Sequence, residues 1–266
     1  MRKHFALLSR AMHVQPISAL KDNYMYLVSD ANTNLCIAVD PVEPEKLLSA
    51  IPKKYKLAAV LTTHHHWDHS GGNEKLHEMA PTVPVYGGDE RIPALSNEVM
   101  HNFEFNIGDY EISCIATPCH TTGHICYHIR DKDDKVGVVF TGDTLFLSGC
   151  GRFFEGNAIQ MHEALNKRLA SLPDETLVYC GHEYSIQNLT FAKSVDPANK
   201  DLLKKIDQVN QLLADGKPSV PSTMAEEKLY NPFMRVTSEV LRSLTNTTTD
   251  IDCMDAIRTL KNNFKP

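Results

Sequence analysis

Short apolar runs separated by turn residues predict a series of β-strands along the first two thirds of the chain. Runs rich in β-branched and aromatic residues predict strands at 24–28, 35–39, 57–62, 83–86, 110–116, 125–129, 136–140 and 176–180. Apolar residues at helical spacing predict helices at 43–51, 73–79 and 158–172. Strands and helices mixed in this way are typical of an α+β or layered α/β domain.

The pattern changes after His182. The segments 185–195, 199–214, 238–244 and 251–264 are predicted to be helices, and no strand pattern competes with them. The stretch between Pro218 and Pro221 is expected to be an extended linker. We therefore predict one domain over residues 1–182 and a smaller helical domain over residues 183–266.

Composition and charge narrow the choice of partner and compartment. The 266 residues are 42% hydrophobic, and a net charge of −6 with no basic block argues against binding to nucleic acid or an anionic membrane. No segment approaches the ~20 apolar residues that cross a bilayer. The seven cysteines are scattered and form no C-x-x-C pair, which indicates free thiols in a reducing compartment such as the cytoplasm.

The N-terminal segment leaves a second compartment open. Arg2, Lys3, Arg10 and Lys21 precede the first acidic residue, Asp22. An acid-free, basic start can be a mitochondrial transit peptide, although this segment is short and poor in serine. A frayed tail before the first strand is the favoured interpretation, with the mitochondrial matrix as the alternative location.

Directly after the apolar run 57–61, four histidines and one aspartate occupy six consecutive positions. The order His64, His65, His66, Trp67, Asp68, His69 contains the pattern H-x-H-x-D-H. Imidazole suits zinc or iron and a carboxylate can bridge two metals, so the pattern indicates a site for one or two transition metals. A histidine-rich surface loop without metal is disfavoured, because such tracts are usually longer and less patterned.

Three further predicted strands run into a turn that carries a metal-binding residue, namely His120, Asp143 and His182. If these strands lie side by side, their ends converge with the opening cluster on one edge of a single sheet. His65 is expected to point away from the site, His124 to pack behind it, and Cys119 not to bind metal, since His120 already serves there. The expected metal ligands are then His64, His66, Asp68, His69, His120, Asp143 and His182, enough for two ions with Asp143 as the bridge.

These segments, read together, resemble the glyoxalase II (hydroxyacylglutathione hydrolase) family of the metallo-β-lactamase superfamily, and the similarity runs almost end to end. H-x-H-x-D-H by itself identifies only the superfamily. The family is indicated by the further segments 22–26, 117–121, 140–146, 149–156, 179–184, 225–227 and 230–235. No G-x-S-x-G, phosphate-loop or dinucleotide-binding motif points to a competing chemistry.

The resemblance implies an α/β fold: a metallo-β-lactamase αββα sandwich with an all-helical C-terminal domain that binds glutathione. It implies one metal on His64, His66 and His120, a second on Asp68, His69 and His182, and Asp143 between them. The two divalent ions are expected to be zinc, with iron or manganese as alternatives. Asp68 is also expected to orient the nucleophile.

The resemblance also supplies the glutathione contacts, which map onto Arg152, Phe154, Tyr184, Arg258 and Lys261. Two of these positions depart from the family pattern, because Arg152 stands where Lys is usual and Phe154 where Tyr is usual. Arg152 keeps the charge, whereas Phe154 lacks a hydroxyl group. From spacing alone, Arg258 and Lys261 would be interpreted as a solvated helix face at i, i+3.

The function implied is hydrolysis of S-D-lactoylglutathione, and of related 2-hydroxyacylglutathiones, to glutathione and D-lactate by a hydroxide that bridges the metals. This is the second step of methylglyoxal detoxification. A monomer with a small-molecule substrate, and without nucleic acid or membrane partners, is expected. One alternative is a glutathione persulfide dioxygenase of the same superfamily, which uses one iron. Another is a non-catalytic glutathione- or metal-binding protein.

Overall fold

Two six-stranded β-sheets form the centre of the computed structural model, which describes residues 12–132 and 136–265. The first sheet has the spatial order β1 (Met12–Ala19), β2 (Asn23–Asp30), β3 (Leu35–Val39), β4 (Lys56–Leu61), β5 (Val85–Gly87) and β6 (Asn97–Glu98). The second sheet contains β7 (Glu104–Ile107), β8 (Tyr110–Ala116), β9 (Ile125–Asp131), β10 (Val138–Gly142), β13 (Leu177–Cys180) and β14 (Ser222–Thr223), in the spatial order β14-β13-β10-β9-β8-β7. A small hairpin, β11 (Leu145–Phe146) and β12 (Gly149–Cys150), follows β10.

Helices cover both sheets and form most of the C-terminal third. Those within the first 182 residues are α1 (Pro44–Ala50), α2 (Trp67–Ser70), α3 (Asn73–Met79) and α4 (Ala158–His162), which continues as a π-helix over Glu163–Arg168 and a 3₁₀ turn over Leu169–Ser171. The later helices are α5 (Ser185–Val195), α6 (Lys200–Ala214), α7 (Met224–Tyr230), α8 (Glu239–Thr245) and α9 (Asp250–Asn263), with a 3₁₀ turn at Pro232–Met234. None of the helices described here is long and apolar enough to span a membrane.

Side chains that alternate between the two faces of a strand explain how the sheets and helices are layered. In β2, Tyr24 and Tyr26 point into a core between the sheets that also holds Phe140 and Tyr179 of the second sheet. The intervening Met25 joins a different core, beneath α1 and α3. Successive side chains of a strand point to opposite faces, so both faces of the first sheet are buried.

The outer face of the second sheet is covered by the remaining helices. Val139 and Val178 of this sheet share one apolar core with Met161 of α4, Phe191 of α5 and Met254 of α9. The order of layers is therefore helix, sheet, sheet, helix, and the later helices pack against the same sheet as α4. The expected division at residue 182 stays a prediction.

Three expectations are corrected. The predicted site does not lie on one sheet, because β4 belongs to the first sheet and β8, β10 and β13 to the second. The expected N-terminal tail is a strand from Met12 onward, while the transit-peptide alternative falls on residues 1–11, outside the described residues. The C-terminal segment is not wholly helical, since β14 pairs with β13.

Candidate metal centre

Four strand ends from the two sheets meet at one place. The chain leaves β4 into the loop and short helix that carry His64, His66, Asp68 and His69. On the second sheet β10 is parallel to β13 and is separated from β8 by the antiparallel strand β9, so β8, β10 and β13 all end at the same edge. His120, Asp143 and His182 follow these three ends, and all seven expected ligands are thereby brought together.

Three histidines form the first group of ligand atoms. His66 Nδ1 lies 3.1 Å from His64 Nε2 and 3.1 Å from His120 Nε2. His64 and His120 are buried, whereas His66 is partly exposed. Three imidazole nitrogens that face one point are the donor set that zinc or iron takes.

The second group consists of Asp68, His69 and His182. The Nε2 atoms of His69 and His182 are 3.1 Å apart, and Asp68 Oδ2 lies 3.3 Å from His182 Nε2. The Asn23 side-chain amide donates to Asp68 Oδ2 at 3.0 Å and to the Asp68 carbonyl at 2.9 Å. This amide fixes the carboxylate, and sequence reasoning had not singled out Asn23 for that role.

Asp143 lies between the two groups with one oxygen toward each. Its Oδ2 is 3.4 Å from His120 Nε2, while its Oδ1 is 3.3 Å from His69 Nε2 and 3.4 Å from His182 Nε2. Oδ1 is buried and has no hydrogen-bond partner among the described residues. A buried carboxylate oxygen without a donor is costly in free energy, and a cation between the groups would compensate for it. The donor set therefore fits two metal ions.

The second ring nitrogen of most of these histidines is held by another group. His69 Nδ1 lies 3.0 Å from Asp40 Oδ2, His182 Nδ1 lies 2.9 Å from Asp22 Oδ1, and His120 Nδ1 lies 3.0 Å from the Arg152 carbonyl oxygen. Such contacts fix the ring orientation and tautomer so that Nε2 is free for a metal. Sequence reasoning missed Asp22 and Asp40, although Asp40 directly follows the end of β3 and the strand-end rule would have found it.

The histidines of the two ligand groups differ in the direction in which their pKa values are shifted. Burial lowers the pKa of His64, His66 and His120, which favours the neutral imidazole that metals bind. Burial acts in the same direction on His69 and His182, but Asp143 and other carboxylates outweigh it, raising the pKa of His182 to about 10 and that of His69 well above its usual value. The carboxylates thus favour positive charge in the second group, and a bound cation would supply that charge in place of the imidazole protons.

Two neighbouring histidines lie where the sequence placed them. His65 points away from the ligand atoms, with Nδ1 3.3 Å from Asp89 Oδ2. His124 is fully buried behind the site, where its ring stacks on His64 with the centroids 5.0 Å apart. Its Nε2 accepts the Asp143 backbone N–H at 3.2 Å. His124 thus fixes the backbone of Asp143. Cys119 is also buried, with its Sγ donating to the Asn157 carbonyl at 3.3 Å.

A cavity of about 460 Å³ opens beside the metal centre. His120 and Asp143 lie at its wall together with all five residues expected to bind substrate: Arg152, Phe154, Tyr184, Arg258 and Lys261. Its lining also includes Phe146, Cys150, Gly151, Gln187, Asn188, Asn262 and Phe264, which sequence reasoning missed. Side chains from α5 and α9 therefore complete a pocket that begins at the second sheet.

Three cations of the cavity, Arg152, Arg258 and Lys261, have no ion-pair partner among the described residues. Arg258 is only 6% exposed, its Nη1 donates to the Cys150 carbonyl at 2.9 Å, and its buried Nε has no hydrogen-bond partner in the described part of the chain. Burial, with a smaller contribution from Arg258, lowers the pKa of Lys261 to about 8. Among residues 12–132 and 136–265, no carboxylate lies within 4.0 Å of the charged groups of Arg152, Arg258 or Lys261. Such a pocket suits an anionic ligand.

Comparison with known proteins identifies the family of this chain. A family model described as Hydroxyacylglutathione hydrolase C-terminus matches residues 183–264, and that of the Metallo-beta-lactamase superfamily matches residues 53–182. The cytoplasmic hydroxyacylglutathione hydrolase of Arabidopsis thaliana is 42% identical over 96% of this chain and 100% of its own length. The hydroxyacylglutathione hydrolase of Dictyostelium discoideum is 44% identical over 95% of this chain and 100% of its own.

Solved structures share the architecture. The crystal structure of ETHE1 from Myxococcus xanthus superposes with a TM-score of 0.67 and 26% identity, covering 95% of this chain and 91% of that one. The metallo-β-lactamase fold, together with the clustered histidines and aspartates, supports metal binding. Because relatives of this similarity align over nearly the whole chain, the protein belongs to the hydroxyacylglutathione hydrolase family of the metallo-β-lactamase superfamily.

Proposed function

We propose that this chain hydrolyses S-D-lactoylglutathione and related 2-hydroxyacylglutathiones to glutathione and a 2-hydroxy acid. The observation that carries the proposal is the continuity of one cavity, whose wall includes the bridging Asp143 as well as the unpaired cations Arg258 and Lys261. Glutathione is an anionic peptide whose thioester lies at some distance from its carboxylates. A ligand of this kind can therefore span the two parts of the cavity.

The proposed ligands are His64, His66 and His120 for one ion and Asp68, His69 and His182 for the other, with Asp143 shared. Zinc is the proposed metal, and iron or manganese would fit the same donors. Bound divalent ions supply Lewis acidity: they bring the pKa of water toward neutrality and polarise the thioester carbonyl. The chain's own contribution is to fix seven ligand atoms and to keep the histidines near Asp143 in the correct tautomer.

Asp68 has a second proposed role, as the acceptor that orients the attacking hydroxide toward the carbonyl carbon. Its pKa is held well below the usual range because His182 and His69 outweigh the effect of burial, so the carboxylate stays ionised and can accept a hydrogen bond. The Asn23 amide keeps one carboxylate oxygen in place. The leaving group is a thiolate, which departs without a strong general acid.

Substrate binding is assigned to the cationic and aromatic side chains of the cavity. Arg152, Arg258 and Lys261 would hold carboxylates of the glutathione moiety and so position the reacting bond. Tyr184 stacks on His182, with the centroids 4.6 Å apart and an interplanar angle of 6°, and joins the pocket to the second metal group. Phe154 offers only its ring, 5.1 Å from that of His120, and no hydroxyl group.

The compartment and assembly state complete the proposal. A cytoplasmic monomer is the form we propose, and the Arabidopsis relative carries the word cytoplasmic in its name. The persulfide dioxygenase alternative needs one iron held by two histidines and one carboxylate. The second group of ligands, with Asp143 between the groups, supports the hydrolase instead.

The test is metal analysis of the purified chain together with loss of the thioester absorbance of S-D-lactoylglutathione. We expect two ions per chain and turnover, and we expect His66→Ala to lose both metal and activity. His77→Ala, on the exposed face of α3, is the matched control and should keep both. Arg258→Ala should mainly raise KM. One iron per chain with O₂ uptake would establish the dioxygenase, and metal without turnover would indicate a binding protein.

A further inference from the structure

A charged cluster that the proposed function leaves unassigned lies next to the metal centre. We call it the clasp, and it consists of Asp89, Arg91, Thr122 and Glu155. The Arg91 guanidinium donates from Nε and Nη2 to the Asp89 carboxylate at 2.6–3.0 Å, and from Nη1 and Nη2 to the two oxygens of Glu155 at 2.7 and 2.9 Å. Glu155 Oε2 also accepts the backbone N–H and the hydroxyl of Thr122, at 2.7 and 2.9 Å. One planar cation thus holds two carboxylates together.

The clasp joins three loops that are far apart in the chain. Asp89 and Arg91 follow β5 of the first sheet, Thr122 lies in the loop after β8 of the second sheet, and Glu155 lies in the loop after β12. The Glu155 backbone N–H donates to the Cys119 carbonyl at 3.2 Å, which brings the last two loops together a second time. The loop at 151–157 has neither helix nor strand, and these bonds hold it in position together with the contact between His120 and the Arg152 carbonyl.

The same loops carry groups of the proposed active site. Thr122 is two residues from the ligand His120, and Glu155 directly follows Phe154, whose ring lies against that of His120. The Arg152 carbonyl in the Glu155 loop accepts from His120 Nδ1 at 3.0 Å. A movement of the Glu155 loop would therefore displace Arg152 and Phe154 relative to the metal ligands.

The clasp is partly exposed to solvent, which favours a role in positioning the loops over a role in folding stability. The Arg91 side chain is 42% exposed and that of Glu155 is 27% exposed. Ion pairs in contact with water contribute about 0–1 kcal/mol to folding. Bidentate geometry nevertheless fixes direction as well as distance, so its main effect is on where the loops lie.

We propose that Arg91 and Glu155 are positioning residues, which hold Arg152 and Phe154 at the distance from His120 that a bound thioester requires. The inference rests on the proposed function. Neither residue contacts the reacting atoms; both act through the loop at 151–156. Loss of the clasp would loosen the grip on substrate and misplace its carbonyl, so both KM and kcat should change.

The test compares Arg91→Gln and Arg91→Lys with a matched control, Arg130→Gln, in the full-length metal-loaded protein. The control breaks the ion pair between Arg130 and Glu111, which lies about 17 Å along β9 from the site-proximal Ile125. We expect Arg91→Gln to lower kcat/KM about 10- to 100-fold with wild-type metal content and melting temperature. Arg91→Lys should recover only part of the loss, because an ammonium group cannot grip both carboxylates in two-point contacts. The control, Arg130→Gln, should keep the wild-type kcat/KM, metal content and melting temperature.

Two results would overturn the inference. Wild-type kinetics in Arg91→Gln would do so, as would a loss of activity that follows a loss of metal, since the effect would then come from the ligands. If Arg91→Gln does not fold, Glu155→Gln takes its place with the same expectations. Its amide nitrogen cannot accept from Arg91, so the two-point contact is lost, while its amide oxygen still accepts from Thr122. Absence of turnover by the wild-type chain would refute the proposed function and the clasp with it, whereas wild-type turnover with an unaffected variant refutes the clasp alone.

Discussion

If Lys261 holds the substrate as proposed, its titration makes substrate capture depend on pH. Its ammonium group donates to the Gln187 carbonyl at 3.1 Å and lies over the rings of Phe191 and Phe264. Burial, with a contribution from Arg258, lowers the pKa of Lys261 to about 8. Burial raises the pKa of the Cys150 thiol to about 11, so that group stays neutral over the range of interest.

The size of the effect follows from this pKa. A cationic Lys261 attracts an anionic substrate, and the charge is present below pH 8 and lost above it. If capture requires the charge, kcat/KM falls as 1/(1 + 10^(pH−8)), which is about twofold at pH 8 and about tenfold at pH 9. Substrate binding itself favours the protonated form, so kcat at saturating substrate should fall at a higher pH than kcat/KM does.

The assay is the pH profile of kcat/KM from about pH 6.5 to about pH 9.5, corrected for spontaneous thioester hydrolysis. Lys261→Arg is the matched variant, because its guanidinium stays charged throughout this range. The α-amino group of the substrate also titrates here, and only the variant separates it from Lys261. If Lys261→Arg has the same alkaline limb as the wild type, the assignment to Lys261 is refuted.

Three other predictions concern the metal ligands and the core. Asp143→Asn should lower metal affinity at least about 100-fold, because an amide cannot bridge two cations; metal analysis after dialysis that finds two retained ions would contradict this. Asp40→Asn should weaken metal binding about 10- to 100-fold, because Asp40 holds the ring of His69. The chain should still fold, since asparagine tolerates the left-handed backbone at φ +48°. Competition with a chelator measures the metal affinity, and an unchanged affinity would argue against this role of Asp40. Phe140→Ala should lower the free energy of unfolding by about 3–5 kcal/mol, because the Phe140 ring is 1% exposed and lies between Tyr26 and Tyr179. Denaturant titration measures this loss, and a value below about 1 kcal/mol would refute the prediction.

The ligand-bearing strand ends could be predicted because their signals are local. An apolar run followed by His64 or His182 predicts both a strand and a metal-binding side chain at its end, within a few residues. The helix over 158–172 was predicted from its apolar spacing, although the wider π turn at Glu163–Arg168 was not. The spacing of apolar residues specifies the buried face of a helix but hardly its hydrogen-bond register.

Features that depend on distant partners could not be predicted in the same way. The strand β1 lies at the edge of the first sheet, contains Pro16 and has mixed polarity, so the sequence has little to mark it. The solvated-face interpretation of Arg258 is wrong, because its guanidinium reaches the Cys150 carbonyl on a hairpin more than 100 residues earlier in the chain. Family resemblance, rather than spacing, placed this residue at the cavity.

The division of the ligands between the sheets has a consequence for folding. His64 and His66 come from the first sheet and His120 from the second, and the group of Asp68, His69 and His182 is split in the same way. Each group takes two donors from the first sheet and one from the second, so neither sheet alone completes a group, and high affinity is expected only once the two layers have docked. Ions that bind the docked state but not the unfolded chain stabilise it by about 4 kcal/mol at a thousandfold excess over Kd. The rate of metal uptake during refolding is therefore expected to report the rate at which the two sheets dock.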